Sequence, residues 1–292
     1  MNSDYLEEFY TFLKTQKRYS LHTINSYKND LSLFFDYMKV ENIIEINQLT
    51  IQSYFSNLYV NNLSMKTICR KLSALKSYGR YLTKAKNINC EFLNTISLPK
   101  KEKKLPEYLR DSELEIILNL PQNNIFELRN SLIIHLLYSS GIRLSELTNL
   151  KINDFNDREN VFRVLGKGNK QRLVVFSNKT KSLLEMYLKQ RKHISSPYLL
   201  LNKNNTPLTN RGVELILENI SKKYLGHKNL HPHMLRHTFA TKLLNKGMDI
   251  RSVQELLGHD SLNATQIYTH VAKNQLSEFY TTYHPRGDNE AL

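Results

Sequence analysis

The chain has 292 residues, with 41 Lys and Arg against 27 Asp and Glu, a formal charge of +14, and 40% hydrophobic residues. This is too long for one ordinary core and too apolar for a disordered chain; no run approaches the ~20 residues of a membrane span, and the acidic, aromatic start MNSDYLEEFY is unlike a signal or transit peptide. The two cysteines, Cys69 and Cys90, provide neither a disulfide framework nor metal-ligand spacing, so a cytosolic, reduced compartment is expected.

The basic excess points to a polyanionic partner, nucleic acid before anionic membrane. An Asn- and Lys-rich composition inherited from genomic base bias would give the same total, so the placement of the charges decides. Residues 1–98 read as four amphipathic helices, an N-terminal helical domain. The first is expected over Asp4–Gln16, with Leu6, Phe9, Phe12 and Leu13 inward. Ser20 starts the second, whose apolar set is Ile24, Tyr27, Leu31, Phe34, Phe35 and Met38. Thr50 is expected to cap a third carrying Ile51, Tyr54, Phe55 and Leu58, and Ser64 a fourth ending near Lys84.

On that fourth helix Ile68, Leu72, Leu75, Tyr78 and Leu82 share one face. Lys66, Arg70, Lys76, Arg80 and Lys84 fall opposite, with no acidic residue among them. Like charges one turn apart repel, so a solvated face normally mixes signs; a stripe of cations fits a row of phosphates better than water. LPKKEKKLP at Leu98–Pro106 then breaks the pattern with two prolines. Residues 99–106 read as a basic interdomain linker whose Lys100, Lys101, Lys103 and Lys104 lie close to the same polyanion.

Residues 107–292 read as a mainly helical domain with a small β-sheet. Helices are expected near Asp111–Asn119, Ile125–Ser139, Lys179–Lys192, Thr209–Lys223, Met234–Lys246, Arg251–Leu257, Asn263–Tyr268 and Lys273–Thr282. VFRVLGKGNKQRLVVF is a hairpin around Gly-Lys-Gly-Asn-Lys, and a short strand at Tyr198–Leu201 is expected to join the same sheet.

Four segments carry the chemistry: GIRLSELTNL, LGKGNKQR, HPHMLRHTFAT and LGHDSLNATQIYTH. Singly each has a plain structural reading. Arg143 fits a helix-terminal surface arginine, Lys167 a solvated hairpin tip, and Tyr268 a half-buried packing residue. His231, His233 and His237 lack the HExxH pattern or carboxylate partner of a zinc site. Together, in this order and context, the segments resemble the tyrosine recombinase family, and best its Xer-type members, over essentially the whole chain. GIRLSEL resembles the family's first-arginine box (Arg143), HPHMLRH its His-x-x-Arg box (His233, Arg236) and LGHDSLNATQIYTH its last box (His259, Tyr268). Lys167, between Gly166 and Gly168, matches its β-hairpin lysine.

The residue types suit phosphodiester chemistry. An anionic nucleophile is repelled by a phosphodiester unless its charge is neutralised, and two arginine forks can clamp the non-bridging oxygens without a divalent metal. His233 and Arg236, three apart on a helix, project from one face. The side chain of Glu146, one turn after Arg143, either orients that arginine or lies on the surface. The resemblance implies that Tyr268 is the nucleophile, forming a 3′-phosphotyrosyl link, that His233 assists as base or hydrogen-bond partner, that His259 bonds the scissile phosphate, and that Lys167 protonates the leaving 5′-oxygen. It also implies a four-helix core-binding (SAM-like) domain and a mixed α/β catalytic domain forming a C-shaped clamp on duplex DNA. Four like or paralogous protomers on two sites would exchange strands through a Holliday junction, without cofactor or metal, in the nucleoid. A DNA translocase is a candidate activator, and Lys273–Thr282 a candidate docking helix. Chromosome or plasmid dimer resolution is the expected role. A phage or transposon integrase, a type IB topoisomerase and a catalytically silent DNA-binding module are the alternatives. The near-immediate start of the first helix leaves no room for an arm-type DNA-binding domain and favours the Xer-like reading.

Overall fold

Helix starts follow side-chain capping chemistry. The computed structural model describes residues 2–39, 46–98, 108–166, 171–191, 193–226 and 229–258. Lys100, Lys101, Lys103, Lys104, Lys167, His259, Tyr268 and the helices expected at Asn263–Tyr268 and Lys273–Thr282 lie outside these residues. The chain divides into two compact units, Met1–Lys104 and Leu105–Leu292. Among the described residues no helix is long and apolar enough to cross a membrane.

The first unit contains α1 (Asn2–Thr15), α2 (Leu21–Met38), α3 (Gln48–Val60), α4 (Met65–Lys86) and a short α5 (Phe92–Thr95). Ser20 and Ser64 cap α2 and α4, each accepting from the backbone N–H three residues on at 3.2 Å. The cap of α3 is Asn47, not Thr50. Asn47 Oδ1 accepts from Thr50 N at 2.9 Å, and Thr50 returns a hydroxyl to the Asn47 backbone, so both residues belong to one capping box begun three residues earlier than expected. The expected inward positions Phe9, Leu13, Ile24, Leu31, Phe34, Ile51, Tyr54, Ile68, Leu75, Tyr78 and Leu82 are buried together. Aromatic edges interlock in this core, Phe34 with Tyr54 at 5.1 Å and Phe9 with Tyr78 at 5.2 Å between ring centroids.

The second unit is built around α7 (Ile125–Ser140), which is apolar on nearly every side and buried from Leu128 to Ser140 apart from Asn130. Before it lies α6 (Asp111–Leu118). After it come α8 (Leu144–Thr148), a 3₁₀ turn at Ile152–Asp154, and an antiparallel sheet in the order β1 (Phe155–Asn156), β2 (Val161–Leu165), β3 (Gln171–Val175). The β2–β3 hairpin pairs Phe162 with Val174 and Val164 with Arg172. Phe155, Phe162 and Phe176 cluster at the sheet, with ring centroids 5.2 to 5.9 Å apart. The third strand is β1, not Tyr198–Leu201. That segment makes only single bridges, Lys151 with Tyr198 and Leu201 with Pro207, because buried Arg191 and Arg129 occupy the carbonyls of Tyr198, Leu199 and Leu201. The unit continues with α9 (Asn178–Gln190), α10 (Asn210–Tyr224, capped by Thr209), α11 (Pro232–Asn245) and α12 (Ile250–Leu257).

Candidate functional site

The ends of α7, α8, α11 and α12 meet the inner face of β3. Helix C-termini leave carbonyls without intrahelical donors and carry partial negative charge, so they attract cations. Here three arginines answer them. Arg236, from the second turn of α11, donates through Nη1 to the carbonyl of Gly141 at the end of α7 and through Nη2 to Leu257 O at 2.5 Å. Arg143, at the N-cap of α8, donates through Nη2 to Gly258 O at 2.5 Å. Arg172, from β3, donates through Nη1 to Leu256 O at 3.0 Å.

Two glycines make this approach possible. Gly141 has φ 59° and Gly258 φ 65°, both left-handed, which L side chains adopt at a cost. A Cβ on Gly258 would also stand 2.8 Å from Arg172 Cδ, and one on Gly141 2.7 Å from Phe239 Cδ1 and Leu257 Cδ2. The Gly258 carbonyl reached by Arg143 and the Gly141 carbonyl reached by Arg236 therefore belong to residues that leave no room for a side chain.

Glu146 closes the constellation and proves to be an orienting residue, not a surface one. Its side chain is 3% exposed. Oε1 accepts from Arg143 Nη1 at 3.0 Å, and Oε2 accepts from Arg172 Nη2 at 2.8 Å and from the Arg143 backbone N–H at 2.9 Å. Burial pushes the Glu146 carboxyl up, but the bonds and charges of Arg172 and Arg143 outweigh it and hold the group below its ordinary value. Burial, then the neighbouring charges of Arg143 and Arg172, bring the Arg236 guanidinium down to about 10, still cationic at neutral pH.

Three guanidiniums face one carboxylate, so the described constellation carries two uncompensated positive charges in a partly buried place. An anion is the natural complement, and an oxyanion between planar arginine forks is the form they match best. Among the sequence-predicted residues the structure brings together Arg143 and Arg236; His233 stands on the same helix as Arg236, one turn nearer its start, and is exposed. Arg172 was not anticipated. Its signal lay in the alternation of QRLVVF, which puts an arginine on the same inward face as Val174 and Phe176.

In the first unit the expected cationic stripe is only partly free. Lys66, Arg80 and Lys84 are exposed and make no ion pair with the described residues. Arg70, however, is bound to Asp30 of α2, and Lys76 donates to the carbonyls of Ile96 at 2.8 Å and Asn94 at 3.4 Å. The partners come from other elements, which a single-helix projection does not contain.

Replacing Glu146 with Gln leaves three buried or half-buried cations without a counter-charge. Unit Leu105–Leu292 is expected to lose about 3 kcal/mol of stability, read from urea unfolding. Because the folded carboxyl is held low, its stabilisation is complete above the ordinary value of 4.5 and is lost as pH falls through the lower folded value. The Gln variant lacks that part of the acid dependence.

Residues 107–275 match the phage integrase family, and residues 6–86 match the phage integrase N-terminal SAM-like domain. The chain is 39% identical over 290 residues to tyrosine recombinase XerC of Bacillus pumilus (strain SAFR-032), covering 95% of both chains. It is equally identical, at 39% over 290 residues, to tyrosine recombinase XerC of Staphylococcus haemolyticus (strain JCSC1435), covering 97% of both. Among solved structures it is similar to the XerH site-specific recombinase bound to a palindromic difH substrate in a post-cleavage complex, with TM-score 0.69, 29% identity, and 94% of this chain and 83% of that one covered. It is also similar to XerA recombinase, with TM-score 0.51, 30% identity, and coverage of 98% and 100%.

Proposed function

Because the chain belongs to the phage integrase family and is an Xer-type tyrosine recombinase, a DNA strand-exchange enzyme, we propose that the arginine constellation grips the scissile phosphate while Tyr268 attacks it. The observation that carries this reading is the charge imbalance: Arg143, Arg172 and Arg236 around the single carboxylate of Glu146. Arg143 and Arg236 bind the non-bridging oxygens and stabilise the more highly charged pentavalent transition state, a contribution of about 3 kcal/mol for each oriented contact. Arg172 holds Glu146 and the end of α12, and so positions Arg143. His233, exposed beside Arg236, assists proton removal from the phenol, and His259 bonds the phosphate.

Attack by Tyr268 forms a 3′-phosphotyrosyl bond and breaks the P–O5′ bond, with Lys167 delivering the proton to the departing 5′-oxygen. The new ester conserves the phosphodiester's energy, so a partner strand's 5′-hydroxyl reseals it without ATP. Four protomers on two DNA sites exchange strands in pairs through a Holliday junction in the cytoplasm, and the product resolved is a chromosome or plasmid dimer. The first unit grips duplex DNA, with Lys66, Arg80 and Lys84 on phosphates and Lys100, Lys101, Lys103 and Lys104 along the same backbone.

The test begins by selecting a site from a randomised duplex pool with the full chain, then placing it in a nicked suicide duplex. An SDS-resistant protein–DNA adduct formed in EDTA without ATP is the expected result; failure to form one from a selected site overturns the reading. Supercoil relaxation without exchange between two sites would instead indicate topoisomerase action. In the same assay Lys167→Ala is expected to slow cleavage at least about 100-fold, and a 5′-thiolate leaving group, which needs no proton, to restore most of it. Equal slowing on both substrates would remove the general-acid role.

A further inference from the structure

Arg70 differs from the exposed cations Lys66, Arg80 and Lys84 of α4, which make no ion pair with the described residues. It is partly exposed, yet Nη1 donates to Asp30 Oδ2 and, at 3.3 Å, to the carbonyl of Ser26, both on α2. Asp30 is 2% exposed, and Lys71 Nζ stands 3.3 Å from its other oxygen, Oδ1, as a buried counter-charge. Oδ1 accepts no hydrogen bond from the described residues.

A buried carboxylate that is incompletely hydrogen-bonded is a poor way to stabilise a helix pair, since apolar residues of similar volume do as well or better. What this carboxylate does accomplish is to fix the direction of a surface guanidinium. The Ser26 carbonyl and Asp30 hold Nη1, while Nε and Nη2 donate to none of the described residues. A backbone phosphate outside the reacting centre needs no such bracing, because a flexible lysine satisfies it from many directions, as Lys66 and Lys84 are free to do. Away from that centre, the group on duplex DNA that a planar fork held in one plane matches is the major-groove edge of guanine, whose O6 and N7 accept two parallel N–H bonds. Bracing removes most of the rotamer freedom that an unheld arginine would lose on binding.

We propose that Arg70, held by Asp30 and Ser26, reads a guanine in the major groove of the recombination site. The inference rests on the proposed recombinase reading and adds a specificity-determining residue to it. Lys71 secures Asp30, and the neighbouring Lys66, Arg80 and Lys84 supply grip that does not depend on sequence.

The test compares the full-length chain with Arg70→Lys, which keeps the charge and loses the fork, and Asp30→Asn, which keeps the shape and loses the brace. Sites are selected from the randomised duplex pool, and affinity is then measured on the selected duplex, on single base-pair variants and on a duplex lacking the site. Wild type is expected to discriminate about 10- to 100-fold in favour of guanine at one position in each half-site. Arg70→Lys is expected to reduce that preference to less than about threefold while leaving the other positions and binding to the unrelated duplex nearly unchanged. Replacing the guanine with 7-deazaguanine, which removes N7, should weaken wild type and leave Arg70→Lys unaffected. Asp30→Asn should move in the same direction; if it unfolds, the surface variant Arg70→Lys decides alone. An unchanged preference profile in Arg70→Lys, a uniform loss on specific and unrelated duplexes, or a wild-type site without a fixed guanine overturns the assignment while the recombinase reading stands. Selection of no site at all would overturn both.

Discussion

Tyr268→Phe is expected to abolish the SDS-resistant adduct and all strand exchange while leaving gel-shift affinity for the selected duplex within about twofold. The change removes one hydroxyl and keeps the ring, so a tyrosine that merely packs would lose only about 1 kcal/mol of stability and no chemistry. A nucleophile without its oxygen has no reaction at all. The buried tyrosines of the chain show what apolar packing does to a phenol: burial pushes Tyr10 and Tyr54 up to about 12, further from ionisation. A tyrosine that attacks phosphate needs the opposite surroundings, and the three arginines gathered at the C-terminal ends of α7 and α12 form a cationic place of that kind. Adduct formation by the Phe variant at even a few per cent of the wild-type yield would show that another side chain is the nucleophile.

How far the sequence could be read depended on the range over which each residue's partners lie. Amphipathic spacing placed the core of the first unit because Phe9, Leu31, Ile51 and Tyr78 face inward for reasons internal to their own helices. Ser20 and Ser64 were legible for the same reason, since their partners lie three residues away. Asn47 was missed because both Asn47 and Thr50 are good caps, and only the backbone path shows which one precedes the first turn. The strand expected at Tyr198–Leu201 looked apolar and extended, but its carbonyls are held by Arg191 at the end of α9 and by Arg129 of the distant α7. Arg172 and the Asp30–Arg70 pair are long-range in the same sense: their charge was visible, their partners were not. Arg143 and Arg236 were singled out through their local boxes, whereas the carbonyls that hold them, on Gly141, Leu257 and Gly258, required the fold.

Arg236→Ala is expected to reduce single-turnover cleavage at least about 100-fold, with duplex affinity little changed, because an oriented donor of this kind acts mainly on the developing charge. The variant also frees the carbonyls of Gly141 and Leu257, so some loss of stability accompanies it and must be separated from the chemistry. Arg236→Lys makes the separation. Lysine restores a positive charge but not the fork, and it enters a place where burial and the charges of Arg143 and Arg172 already bring arginine down to about 10. Lysine starts from a lower ordinary value and is expected to titrate much nearer neutrality. Its charged form is the active one, so cleavage by Arg236→Lys should fall as pH rises from about 7 to about 9, while wild-type arginine remains charged across that range. A flat profile for Arg236→Lys at wild-type rate would mean that the fork at this position does not contribute to the reaction. A pH-independent deficit would assign the contribution to the fork alone.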